Sequence, residues 1–304
     1  MTQLLNALPG ALAQGLIWGV MAIGVYITYK VLDIADLTVD GSICTGAAVC
    51  TMLLLGGQSP WLALLCAVLA GVLAGAVTGL LHVSLGIPPI LAGILTQMVL
   101  WSVNLKLLGK ANQALPARTT PVLLSQMDVG GALPVLLGSC VVLVALLVLF
   151  FGTELGCALR ATGCNPVMSR AQGVNTGLMK IIGLALSNGV VALSGALLCQ
   201  YQGYTDVNMG RGAVVIGLAA VVIGQAVLGR RGGRMAVQLG GVILGAVIYY
   251  IVYQVIIFAG FDTDLLKMFS AVVVAVFLGA PHVKAQLKAH SRSKKGDSGH
   301  AENE

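Results

Sequence analysis

Long apolar blocks separated by short polar breaks set the pattern of this chain. A membrane-spanning helix takes roughly 20 apolar residues. That rule places spans near residues 8–29, 37–55, 60–82, 88–108, 133–151, 178–199, 213–228, 236–258 and 267–281. Two of the nine start irregularly. Asp33, Asp36 and Asp40 crowd the beginning of the second, and the seventh is short, with Gly210, Gly212 and Gly217 pointing to a broken or re-entrant start. The neighbouring counts of eight and ten stay open.

One polar break, Thr153 to Gly177, carries its own helix signals. Asn165 is a good N-cap, and Pro166 suits a first helical turn, where a missing N–H costs nothing. Val167 to Gln172 follow as the helix, and Gly173 suits the left-handed position that ends one. Glu154, Arg160, Arg170 and Lys180 surround it. A short, capped, basic helix between spans is built to touch another protein; an ordinary polar loop with accidental caps is the bland alternative.

The two halves of the chain echo each other. Gly41-Ser-Ile-Cys-Thr-Gly46 returns as Gly212-Ala-Val-Val-Ile-Gly217, and Gly10 to Gly15 is echoed, one residue longer, by Gly183 to Gly189. Both offsets are about 170 residues. Spans 1–4 (about 8–108) then match spans 6–9 (about 178–281), with 133–151 as connector and 153–177 as the linking loop. An offset of five spans reverses direction, so the repeat is inverted, an arrangement common in transporters. Chance glycine matches in a Gly/Ala/Val-rich chain are the other explanation.

Composition agrees with the spans. The 304 residues are 58% hydrophobic and 9% charged, against about 45–50% and about 25% in soluble domains. The expectation is an all-α polytopic membrane protein, its membrane domain covering 1–282, with a basic, polar, disordered tail over 283–304. The net charge of +6 sits in loops and tail, where it reads as orientation and lipid contact and not as nucleic-acid binding. Basic clusters at 230–234 and after Pro281 are both cytoplasmic if two spans separate them, and two do. Counting back puts 154–177 in the cytoplasm and the N-terminus outside, with 109–132 external despite Lys110 and Arg118. Leu4 to Tyr29 lacks a basic flank and reads as a span, not a cleavable signal.

Little in the chain promises catalysis. His82, His282, His290 and His300 have no partners at metal-ligand spacing, and no G-x-x-x-x-G-K-[ST] loop exists to cradle ATP. No metal, cofactor or enzymatic activity is expected. Cys44, Cys50, Cys66, Cys140, Cys157, Cys164 and Cys199 read as small packing residues. Asp33 and Asp36 fit a solvated cytoplasmic turn. Asp40 lies deeper and aligns with Arg211 across the repeat, so the two either pair or share the lining of a path. Ser42 and Asn188 join them as candidate path residues. Gln14, Gln97, Asn104, Ser187, Gln200 and Gln254 are read as hydrogen-bonding to neighbouring helices, and Gly71, Gly75 and Gly79 as a close-packing face.

Two stretches carry a family resemblance. IADLTVDGSICTGAAV (34–49) and TELGCALRATGCNPVMSRAQGVNTG (153–177) resemble segments of permease subunits of ABC importers for ribose-type sugars and branched-chain amino acids. The second fits the family's cytoplasmic-loop pattern at Thr153, Gly156, Ala161, Gly163, Asn165, Gly173, Val174 and Asn175, with Ser169 where alanine is usual. With GIPPILAGILT (86–96), the chain looks most like a bacterial branch often lacking an assigned substrate, some members being linked to aromatic amino-acid uptake.

The resemblance implies a homodimeric or paired permease in the bacterial cytoplasmic (inner) membrane, with a cobalamin-permease-like architecture. It implies a cytoplasmic ABC ATPase dimer and an extracytoplasmic solute-binding protein as partners. It makes 153–177 the coupling segment, with Arg160, Gly163, Asn165, Pro166, Arg170 and Gly173 at the ATPase contact. The expected activity is ATP-driven import of a small organic solute, foremost an amino acid, by alternating access. The competing reading is a secondary transporter with Asp33, Asp36 or Asp40 as the ion site.

Overall fold

A computed structural model describes residues 2–116, 122–228 and 234–258, with positions 268, 272 and 275 beyond them. The predicted ninth span, most of the 230–234 cluster and the 283–304 tail lie outside the described residues. Apolar helices occupy the other eight predicted blocks. They are α1 (Thr2–Tyr26), α2 (Val39–Leu55), α3 (Pro60–Ser84), α4 (Pro89–Leu108), α5 (Val129–Gly152), α8 (Thr176–Gln202), α9 (Ala213–Leu228) and α10 (Met235–Phe258). Six are long and apolar enough to cross a bilayer, α1 among them once its continuation to Val31 is counted; α2 and α9 are shorter. The fold is all-α and polytopic. Two helices, α6 (Glu154–Cys164) and α7 (Pro166–Ala171), fill the polar island, and one π-helical turn and two three-residue strands complete the described elements.

Helix α8 is the hub, packed against α1, α2 and α3. Lipid is as apolar as leucine, so helices in a bilayer associate by close backbone approach more than by hydrophobic drive. Small residues supply that approach here. Added Cβ atoms at Gly71 and Gly75 of α3 would run into the backbone carbonyls of Asn188 and Leu184, and one at Gly79 would stand 2.8 Å from the Ile181 Cα. The predicted packing face of α3 therefore lies on α8. The α2–α8 contact is reciprocal: Gly46 sits on the Ala192 backbone and Gly195 on that of Ile43. Outer helices α3, α4, α5 and α10 leave much of their apolar surface exposed, as with Leu73, Val99, Leu149 and Leu244.

Two irregular passages interrupt the bundle. After α1 the chain widens into a π-helical turn, Ile27–Val31. It then runs from Asp33, in the left-handed region at φ 55°, through non-helical backbone into α2. The second passage follows α8. Strand β2 (Tyr204–Asp206) pairs antiparallel with β1 (Asn112–Ala114). Turns then lead to Gly210, which rests against the Asp40 backbone before α9 begins. The irregular start predicted for this helix is what the structure contains. The β1–β2 ribbon, which the apolar pattern gave no hint of, ties the α4–α5 and α8–α9 connections to one end of the bundle.

Candidate functional site

The polar island folds into more than a single helix in a loop. Three polar residues cap three successive helices. Thr153 Oγ1 accepts from Gly156 N at 3.3 Å for α6, Asn165 Oδ1 from Met168 N at 3.0 Å for α7, and Asn175 Oδ1 from Leu178 N at 3.1 Å for α8. Side-chain caps satisfy N–H groups that a helix start leaves open. Asn165 also donates its backbone N–H to Ala161 O at 3.0 Å, so it closes α6 while opening α7. Pro166 stands in the first turn, and Gly173, at φ 84°, makes the left-handed turn out. Helix α6 lies outside the predicted helix, because its Gly-Cys-Ala-Leu-Arg-Ala-Thr-Gly run carries two glycines and is low in overall hydrophobicity.

The candidate contact residues divide by role. Asn165, Pro166, Arg170 and Gly173 are exposed. Gly163 instead faces inward, where a Cβ would collide with the Val31 carbonyl, so it locks α6 beneath the π-helical turn. Arg160 Nη2 donates to Phe151 O at 3.2 Å at the end of α5, and Arg170 Nη2 donates to Thr176 Oγ1 at 3.1 Å. Both guanidiniums brace their own chain. What points outward is apolar: Val167 is 79% exposed and Met168 63%. Sequence reasoning passed over this pair, although two large apolar residues following a helix N-cap and Pro166 were there to be read.

A buried polar network occupies the middle of the bundle. Asn188, near the midpoint of α8, accepts from Ser42 Oγ at 2.6 Å. Its Nδ2 donates to Asp36 Oδ2 at 2.7 Å and to Leu184 O at 2.9 Å. Asp36 Oδ1 accepts from Thr38 N at 2.8 Å. Thr38, Thr78 and Thr96 continue as hydroxyl contacts of 2.8 and 3.0 Å across α3 and α4. Asp36 is 5% exposed, which corrects the expected solvated turn; only Asp33 of that pair is exposed. The extended backbone after Asp33 turns inward, and hydrogen-bond donors await the carboxylate there.

The four candidate path residues thus separate into two pairs. Ser42 and Asn188 belong to the buried network. Asp40 and Arg211 line a cavity of about 630 Å³ between α2, α4 and the turns before α9, together with Gln97, Trp101, Ser102 and Asn104. No ion pair joins Asp40 to Arg211. The Asp40 carboxylate accepts from Gly212 N and Val214 N, both at 3.0 Å, and so holds the first turn of α9. A carboxylate at a helix N-terminus meets open N–H groups and a favourable dipole. The cysteines also divide: Cys44, Cys50, Cys140 and Cys199 are buried and Cys66 half-buried, whereas Cys157 and Cys164 on α6 are exposed and are not packing residues. No cluster of metal-ligating side chains occurs among the described residues.

This arrangement defines a multi-pass membrane protein with a capped helical elaboration at one end of a glycine-packed bundle. The family described as "Branched-chain amino acid transport system / permease component" matches residues 8–280, and the chain belongs to it. It is the permease component of an ABC-type transport system. The chain is 38% identical over 287 residues to the "Tyrosine transport system permease protein" of Clostridioides difficile (strain R20291), covering 93% of this chain and 94% of that protein. An uncharacterized protein of Rickettsia prowazekii is 33% identical, covering 91% and 98% respectively. An "Autoinducer 2 import system permease protein" of Escherichia coli (strain K12 / DH10B) is 29% identical over 67% of this chain and 60% of that protein. No solved structure matches the chain.

Proposed function

We propose that this permease imports an amino acid across the bacterial cytoplasmic membrane by alternating access, with ATP hydrolysed by a separate subunit. The observation that carries the coupling assignment is the outward-facing Val167–Met168 pair on a helix held by its Asn165 cap and the Arg170 brace. Apolar residues on a rigid, short helix suit the groove of a partner protein, because little order is lost on docking. The α6–α7 end is then cytoplasmic, the N-terminus external and the C-terminus cytoplasmic. Asn165, Pro166 and Gly173 shape the coupling helix, and Gly163 anchors it to the π-helical turn after α1. Through that anchor, motion of an ATPase reaches α1 and α8.

The amino-acid assignment is supported by the tyrosine-system relative, which matches nearly end to end. The complete assembly comprises two permease copies, two ATPase subunits and an extracytoplasmic solute-binding protein. Two inverted four-helix repeats about the connecting helix α5 account for the pair of short helices, α2 and α9, whose first turns meet at Asp40 and Gly212. An ion-coupled mechanism through Asp36 is disfavoured, since its carboxylate is buried and both of its oxygens already accept a hydrogen bond.

The test is a pull-down of detergent-solubilised permease, intact and as Met168→Asp. Copurification of a P-loop ATPase that is lost in the variant supports the assignment. Recovery of intact permease without an ATPase, in mild detergent at low salt, favours the ion-driven transporter.

A further inference from the structure

We infer that the cavity between α2, α4 and the turns before α9 is a transit subsite for a zwitterionic amino acid, Arg211 binding its carboxylate and Asp40 its ammonium. The inference rests on the amino-acid reading above and adds a location and a recognition chemistry inside the permease itself.

The location follows from hydrogen bonds. Ser42 bonds to Asn188 near the midpoint of α8, and Asp40 stands two residues before Ser42 on α2. The cavity therefore lies near mid-depth of the bundle, where charged side chains are costly unless they face a cavity or a partner. Its volume, about 630 Å³, falls within the roughly 300–1,000 Å³ of small-molecule sites. Opposite charges line it without pairing to each other. Asp40 spends two acceptor positions on Gly212 N and Val214 N. An ionised carboxylate has about four such positions, so acceptor capacity is left for an ammonium group. Because Asp40 already occupies the α9 N-terminus, an anionic group entering here is left to Arg211.

A second, independent observation points to a ligand. Asn104 is 1% exposed and lines this cavity, yet neither its Oδ1 nor its Nδ2 has a hydrogen-bond partner. Buried side-chain amides are almost always satisfied, and an orphan costs stability. Both atoms are sealed just behind the cavity wall, so a solute offering a donor and an acceptor answers them once the wall opens, as alternating access requires. Trp101, 45% exposed at the same wall, presents an aromatic surface to the solute's side chain. A sugar would use the amide and the ring face but has nothing to set against the two separated charges.

The experiment is saturation-transfer NMR on full-length permease in lipid nanodiscs. The probes are L-tyrosine, L-leucine, tyramine (no carboxylate), 3-(4-hydroxyphenyl)propionate (no ammonium) and D-ribose. The expected result is saturable L-tyrosine binding, with each truncated analogue about tenfold weaker, the usual effect of one lost charge-assisted contact. Arg211→Gln should weaken L-tyrosine about tenfold while leaving tyramine unchanged, a pattern that general loss of structure does not produce. Asn104→Leu should weaken both. Equal binding of the zwitterions and truncated analogues, stronger binding of ribose, or no saturable binding of either amino acid would overturn the inference. If Arg211→Gln does not yield folded protein, the analogue series on the wild type and Asn104→Leu decide. The ATPase pull-down is read separately: intact copurification with failed binding removes only the subsite, and failed copurification removes only the importer assignment.

Discussion

The side-chain amide of Asn188 donates to Asp36 at 2.7 Å while accepting from Ser42 at 2.6 Å, so one residue of α8 joins the re-entering segment before α2 to α2 itself. This contact sets the shape of the bundle's centre. The Asp36 carboxylate is buried among the Thr38 backbone N–H, the Thr38 hydroxyl and this amide.

Replacing Asn188 with leucine should therefore cost more than replacing Ser42 with alanine. The first leaves a buried carboxylate short of a donor, a loss of about 2 kcal/mol. The second removes one neutral hydrogen bond, about 1 kcal/mol. Unfolding midpoints in detergent, compared at fixed lipid content, would check the order. Equal effects would mean that Asp36 does not depend on the amide.

The glycine contacts of α3 predict a sharp contrast between positions. Gly75→Val forces a side chain into the Leu184 carbonyl and must separate α3 from α8. Monodisperse protein should be lost on size exclusion. Gly138→Ala on α5 meets nothing within 4 Å and should be neutral or stabilising by up to about 1 kcal/mol, the helix-propensity difference.

At the coupling end, Asn165→Ala and Met168→Asp should fail differently. Asn165→Ala removes the α7 cap at a cost of about 1 kcal/mol and should weaken ATPase copurification partially, with faster amide exchange in Val167 to Ala171. Met168→Asp changes an exposed side chain, so stability should stay within about 0.5 kcal/mol while copurification is abolished. Unchanged copurification in both would place the ATPase contact elsewhere.

Gly163 and Gly173 both look like loop glycines, yet their alanine variants should separate. Gly163→Ala meets the Val31 carbonyl and should lower folded yield before any question of coupling arises. Gly173 has open space around it and a left-handed φ of 84°, so alanine there costs about 1–2 kcal/mol of local backbone strain. Expression yield and ATPase copurification, measured together, distinguish a packing defect from a docking defect.

Much of the architecture was legible because the bilayer imposes a length and a polarity that read directly as apolar blocks. Eight of the predicted blocks carry helices, the α3 glycines face a neighbour, and α7 begins at Asn165 and Pro166 as its caps require. Helix α6 escaped notice because its partners, the π-helical turn and α8, supply the stability that its own composition lacks. Asp36 was misplaced for a related reason. An aspartate near a span end is ordinarily solvated, and nothing local announces that the backbone turns inward or that Asn188, 152 residues away, awaits it.

The chain by itself determined that this is a helical membrane protein, where most of its helices run, which residues cap the island and which family it joins. These properties follow from local polarity, spacing and capping chemistry, which act within a few residues. Tertiary structure alone decided that Ser42 and Asn188 belong to a buried network while Asp40, Arg211, Trp101 and Asn104 share a cavity. Contacts of that kind bring together residues far apart in the sequence. They depend on how closely glycine-lined helices approach and on where two irregular passages re-enter the bundle.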